Sequence, residues 1–143
     1  MVVSRTTHDE EGTMHVNRDD IPTKIDVPGA VARQATGFGD TTAGTLGGEF
    51  FTLGAGTDIA PLLEGLEDDA CQAPHWGYML SGSVVVTYTD GSTEQCSAHD
   101  LFHWPPGHSV RVLEDAEVIL FSPQDSHGQV MDHMLARMAG AGA

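Results

Sequence analysis

Between His75 and Ser122 the chain alternates short apolar-rich runs with residues that turn a backbone. The runs are HWGYML (75–80), SVVVTYT (83–89), STEQCS (92–97), Leu101 to Trp104, Ser109 to Leu113 and Glu117 to Ser122. Ser81-Gly82, Asp90-Gly91 and Pro105-Pro106-Gly107 stand at joints between them. Each run has the length of a β-strand. Asp90-Gly91 predicts a type I′ hairpin, because the dipeptide tolerates positive φ at both central positions. Pro106 and Gly107 suit the second and third positions of a type II turn. Upstream, Val27 to Gly48 carries Pro28, Gly29, Gly37, Gly39, Gly44 and Gly47 between apolar pieces, which predicts short strands and turns. Phe50, Phe51 and Leu53 then read as a strand that Gly54 and Gly56 end.

After Pro123 the period changes. Val130, Met134 and Met138 recur every four residues with Met131 and Leu135 beside them, which predicts one short amphipathic helix capping the barrel or a dimer partner. Residues 1–24 are polar and acidic with no sustained period, and are expected to be an arm, flexible or exchanged with a neighbouring subunit. The expected division is therefore an arm (1–24), a β-domain (25–123) and a helix with a frayed Gly/Ala tail (124–143). Many short strands without intervening helices mean a sandwich or barrel, and closure removes exposed strand edges.

Composition narrows the function classes. The 143 residues are 40% apolar, enough for one domain with one core. Six basic residues stand against 21 acidic ones, a formal net charge of −15, which repels nucleic acid and anionic membrane surfaces. The first residues, MVVSRTTHDEEG, lack a signal-peptide core, and Val84 to Val86 or Val118 to Phe121 are far too short to span a bilayer, so a cytoplasmic protein is expected. Cys71 and Cys96 are the two cysteines, and in a reducing compartment they read as free thiols or ligands, with a mutual disulfide as the alternative.

The segment Cys71-Gln-Ala-Pro-His-Trp-Gly-Tyr-Met-Leu-Ser-Gly82, followed by Asp100-Leu-Phe-His-Trp-Pro-Pro-Gly-His108, resembles the two motifs of small single-domain cupins. It looks like the subgroup with C-x-x-P-H-x-G-Y-x-L-x-G and P-P-G-H, over about residues 50–122. The resemblance implies an all-β, antiparallel jelly-roll β-barrel with a pocket at its mouth. The chain departs from the widespread metal pattern of that family. With Tyr78, Leu80 and Gly82 aligned to the end of the first motif, His75 falls at the glutamate position, Cys71 at the second histidine and Asp69 at the first. In the second motif Val110 takes the usual histidine place and His108 sits two residues earlier, on the same face of a strand. His99 stands where the family commonly has glycine.

Cys71, His75 and His108 are accordingly the candidate metal ligands. A thiolate with two imidazoles suits a divalent transition metal, zinc foremost, and also iron, copper or nickel. The competing reading makes Cys71 a small buried hydrophobe, His75 a hydrogen-bonded core residue and His108 a turn cap. His103 is the candidate catalytic acid/base group, since its ordinary pKa lies near neutrality. Strand alternation sets Trp76 and Tyr78 opposite His75, as core or subunit contacts. Tyr88 and Trp104 read as packing, His99 as an exposed strand end, and His8, His15, His127 and His133 are assigned no role. Three functions remain open: a metal-dependent cupin transforming a small organic molecule by oxygenation, isomerisation or hydrolysis; a non-catalytic sensor or carrier of such a molecule, metal-free or not; and an interaction protein. A homodimer is expected.

Overall fold

The structure, a computed structural model, describes residues 14–141. Residues 1–13 of the expected arm, His8 among them, and the end of the Gly/Ala tail lie outside the described residues. Seven strands and one helix follow in order: β1 (Thr23–Val27), β2 (Ala30–Thr41), β3 (Gly44–Leu53), β4 (His75–Tyr88), β5 (Thr93–Ser97), β6 (Leu101–Trp104), β7 (His108–Pro123) and α1 (Gln124–Ala141). Every strand pair is antiparallel, in the order β1-β2-β3-β7-β4-β5, with β6 also paired to β4. This is the expected jelly-roll β-barrel. Among the described residues no helix is long and apolar enough to cross a membrane.

Two long strands organise it. β7 keeps one parity throughout, burying His108, Val110, Val112, Ala116, Val118, Leu120 and Ser122. β4 does not, for His75 and Met79 are buried in its first half and Val84 and Val86 in its second. The change from odd to even positions is made by register shifts against β7 between Met79 and Val84. From Met79↔Val118 to Val84↔Val112 the positions on β4 change parity while those on β7 do not, which turns the second half of β4 over, so both halves face the same core. Ser81-Gly82, read from sequence as a turn between two strands, is therefore a bulge within one strand. Likewise, the runs 109–113 and 117–122 are one strand. β6 covers the first half of β4 and β5 the second.

The turn at Asp90-Gly91 joins β4 to β5 as expected, but with different geometry. Gly91 N–H donates to Tyr88 O at 2.9 Å and only Gly91 has positive φ, +88°. This is a three-residue loop ending in a glycine bulge rather than a type I′ turn. Asp90 Oδ1 accepts hydrogen bonds from Ser92 N–H (2.8 Å) and Oγ–H (2.6 Å), which hold the loop without requiring positive φ at Asp90. Gly107 does take positive φ, +92°, as its turn position requires.

Val84, Val86, Val110, Val112, Val118 and Leu120 form the main core with Met79 and Trp104. α1 runs for 18 residues, about five turns and longer than the short helix expected. It lies across the end of the barrel, packing Met131 on Ile25 and Ala32, and Val130 on Leu63, Cys71 and Ala73. Lys24 to Asp132 (2.9 Å) and Arg137 to Glu64 (2.9 Å) tie its outer face to the rim.

Gly82 has φ +79°, and a Cβ there would stand 2.1 Å from Asp115 O and 2.6 Å from Ala116 Cα. At Gly91 the same addition meets nothing within 4 Å. Gly91→Ala is expected to cost about 1–2 kcal/mol for the left-handed backbone alone. Gly82→Ala adds a backbone clash at the bulge and is expected to cost at least about 3 kcal/mol, or to prevent folding. Urea denaturation of the two variants checks the difference, and equal losses would contradict the bulge as a packing constraint.

Candidate metal centre

Cys71 lies at the end of the long β3–β4 connection, which is stitched to the start of β7. Cys71 N–H donates to His108 O at 2.8 Å, and Cys71 O accepts from Gly107 N–H at 2.7 Å and His108 N–H at 3.2 Å. These bonds place Cys71 beside the first residue of β7, while His75 opens β4. The side chains of Cys71, His75 and His108 are all buried, and one donor atom from each lies within 4.8 Å of the others. Cys71 Sγ is 3.6 Å from His75 Nε2. The His75 and His108 rings stand edge to face at 5.0 Å.

The outer nitrogen of each imidazole is already engaged. His108 Nδ1–H donates to Pro105 O at 2.8 Å, which leaves Nε2 as the atom with a free lone pair. His75 Nδ1 meets Ser122 Oγ at 2.6 Å, and Ser122 Oγ–H donates to Glu49 Oε1 at 2.8 Å. Glu49 Oε2 accepts from Gln34 Nε2–H (3.0 Å) and from His127 Nδ1–H (2.6 Å). His75 therefore presents Nε2 to Cys71 while a hydroxyl and a buried carboxylate orient its far side. Metal-binding histidines are commonly held in this way. Glu49, His75 and His127 also bring donor atoms within 4.8 Å of one another, but their hydrogen bonds already commit the Glu49 oxygens and both Nδ1 atoms.

The three histidines and Cys71 form the polar end of a largely enclosed cavity of about 260 Å³. Its other walls come from the barrel interior, including Phe51, Leu53, Val112 and Leu120, and from Val130, Met131, Met134 and Met138 of α1. The methionine stripe is thus the lid of this cavity.

Cys71, His75 and His108 are brought together; His103 is not brought to them. It alternates with the buried Trp104, so it lies on the outer face of β6, exposed and stacked on Trp76 at 5.0 Å and 9°. Trp76 is on the face opposite His75, as strand alternation requires. Trp104 packs in the core and lines the cavity. Both cysteines are free.

Glu49 and His127 went unassigned in the sequence, and His127 was placed in a segment with no role. Both left a signal. Glu49 shares strand parity with Phe51 and Leu53, so a carboxylate points to the apolar side of β3. His127 precedes Met131 by four residues and therefore belongs to the inward stripe of α1.

No protein-family model matches the chain, and no curated protein does. Solved structures resemble it in fold. Oxalate decarboxylase from Bacillus subtilis, in several variants, superposes with a TM-score of 0.55 at 23% identity over 73% of this chain. The enzyme from Lactobacillus farciminis, in a formate complex, gives 0.51 at 19% identity, again over 73%. One of the Bacillus structures concerns the Mn(II) centres of that enzyme. The chain spans 28% of the Bacillus protein and 31% of the Lactobacillus one. The likeness is one of fold alone.

Burial sets the protonation of the three groups. It pushes the Cys71 thiol up to about 11, reinforced by the charge of Glu49. It drives His75 well below its ordinary value, helped by the neighbouring imidazoles of His127 and His108, and takes His108 down to about 4. Both rings are thus neutral at neutral pH, the form that binds a metal, and a cation would displace the Cys71 proton. In metal-free protein, the unfolded chain takes up a proton at histidine near pH 6.5 while folded His108 resists until about 4. The unfolded state binds more protons in that window, so stability falls as pH falls through it, by about 3 kcal/mol for His108. Above pH 9 the unfolded thiol ionises before folded Cys71 does, and stability falls again. Urea denaturation of metal-free protein from pH 4 to 10 is expected to show a maximum between about 6.5 and 9. His108→Gln is expected to flatten the acid limb, and an unchanged acid limb in that variant would count against a neutral buried His108.

Proposed function

We propose that the protein binds a divalent transition metal through Cys71 Sγ, His75 Nε2 and His108 Nε2, and uses it to hold or transform a small organic molecule in the barrel. The observation that carries this reading is the convergence of one thiol and two pre-oriented imidazoles at the polar end of an otherwise apolar cavity. Three protein ligands leave a position for water or substrate. The similarity to a manganese enzyme does not transfer the metal. A sulfur donor favours softer ions, so zinc is the first assignment, with iron, copper and nickel behind it. Bound there, such an ion supplies Lewis acidity or a bound water of lowered pKa, and iron or copper adds oxygen chemistry.

The chain's own residues supply the rest. Pro105 O holds the His108 tautomer, Ser122 and Glu49 hold that of His75, and the aliphatic walls keep water from the reacting end. A second reading, a carrier or sensor without turnover, is favoured by the enclosure. α1 lies over the cavity and is pinned by Arg137 and His133 to the 61–64 loop, which slows exchange of an occupant. A cytoplasmic homodimer completes the reading. The half-exposed Trp76 and the exposed Leu101 on the outer face of β4 and β6 are apolar surface suited to a subunit contact.

Zinc-supplemented wild type is expected to carry about one metal per chain by elemental analysis. Cys71→Ser, His75→Ala and His108→Ala are each expected to lose it. Ser122→Ala, which frees the far side of His75, is expected to weaken affinity about 10- to 100-fold. Cobalt-substituted wild type should show thiolate-to-cobalt charge-transfer absorption that Cys71→Ser lacks. Folded wild type that takes up no metal would overturn the reading, and loss of metal in His127→Ala but not in His108→Ala would move the ion to the Glu49 group. For the dimer, mass in solution should fall to that of one chain in Trp76→Glu/Leu101→Glu.

A further inference from the structure

The metal centre of the proposed function is one end of a chamber, and the rest of that chamber says what enters it. Protein interiors seldom keep voids larger than a water molecule. Here about 260 Å³ lies inside a core that is otherwise tightly packed, with Val84, Val112, Val118 and Leu120 each no more than 2% exposed. Apart from the Cys71 and histidine end, its walls among the described residues are aliphatic, aromatic or methionine side chains together with Thr57, and the aromatic Trp104 brings a buried indole N–H that has no hydrogen-bond partner. Among the described residues, no lysine or arginine lines it. Away from its polar end such a space stays dry unless an apolar body fills it, and a void of about 150 Å³ accommodates benzene. By proportion this one accommodates about ten non-hydrogen atoms.

Charge limits the occupant further. A divalent ion with one thiolate and two neutral imidazoles has a net charge of +1, and the Glu49 carboxylate lies just behind His75. One negative group on a ligand is matched at that end; a second would be buried against hydrocarbon with no partner. The methionines of α1 are adaptable in shape and suit a flat or irregular apolar body.

Resting on the metal reading only for the polar contact, we infer that the occupant is a neutral or singly charged apolar molecule of about ten non-hydrogen atoms, such as a small aromatic acid, phenol or bicyclic ring. Its single donor group meets the Cys71, His75 and His108 end and its body lies under α1. A compact dianion such as oxalate, the compound in the name of the similar enzymes, leaves one charge unmatched at that end and the apolar body of the chamber unfilled.

The test uses the full chain, metal-free and zinc-loaded, with indole, benzoate and oxalate as probes, read by methyl NMR of the valines, leucines and methionines. Indole is expected to shift the methyls of Val112, Leu120 and Met134 saturably in both forms, with similar affinity. Benzoate is expected to bind the zinc-loaded form at least tenfold more tightly than the metal-free form. Oxalate, with zinc retention checked by native mass spectrometry, is expected to leave those methyls unshifted. Met134→Trp, which fills the chamber from the helix side, should abolish indole binding and keep the zinc. Leu53→Trp does the same from the barrel wall if Met134→Trp does not fold. Saturable indole binding to a chain that takes up no zinc would sink the metal reading and uphold the apolar chamber. The inference is overturned by zinc-loaded protein that binds neither indole nor benzoate, by oxalate shifting the same methyls, or by indole affinity unchanged in a folded chamber-filling variant.

Discussion

A carboxylate taken fully out of water must be met by donors from several directions, and at Glu49 those donors come from most of the molecule. Gln34 reaches it from β2, Ser122 from β7 and His127 from α1, while Ser122 passes the contact on to His75 at the start of β4. Removing a single partner leaves a buried polar atom unsatisfied, which costs more than the bond itself contributes. The helix, the two longest strands and the inner wall of the candidate metal centre are thus held to one arrangement by one group. The orientation of His75, and with it the direction of Nε2, follows from that arrangement.

The same network explains why a helix belongs to a barrel that strands alone would close. α1 brings His127 to Glu49 and, on the same face, the methionines that roof the cavity. Its amphipathic stripe serves two purposes. The residue nearest β7 satisfies a buried charge, and the later ones complete an apolar wall. Stability and enclosure therefore arise from one packing event rather than from separate devices. The cavity beneath has its polar groups at one end only, where the hydrogen bonds of Pro105 and Ser122 have already chosen the nitrogen each imidazole presents.

Much of this was legible along the chain. Alternation marked the strands, Pro106-Gly107 marked the turn before His108, and the period of four after Pro123 marked α1. Cys71, His75 and His108 could be gathered from motif spacing because the ends of β4 and β7 return to one place in a closed barrel. Other features depend on pairing that the local sequence does not show. Ser81-Gly82 has the composition of a turn, yet the Met79 to Val84 register shift makes it a bulge, and only the pairing with β7 distinguishes the two. His103 was chosen by chemical type, but its parity with respect to Trp104 sends it outward onto Trp76.

What the sequence determined by itself is therefore what depends on neighbours in the chain: strand and helix periods, the acidic surface, and the residue types able to bind a metal. The tertiary structure decided which of those residues meet. Glu49 lies 73 positions from Ser122 and 78 from His127, so no local pattern joins them. Their association depends on β3 lying beside β7 and on α1 folding back over the barrel end. It is enforced because a buried carboxylate can be satisfied only by partners that arrive together. The chamber is likewise a property of walls drawn from distant segments, and no single segment encodes a void.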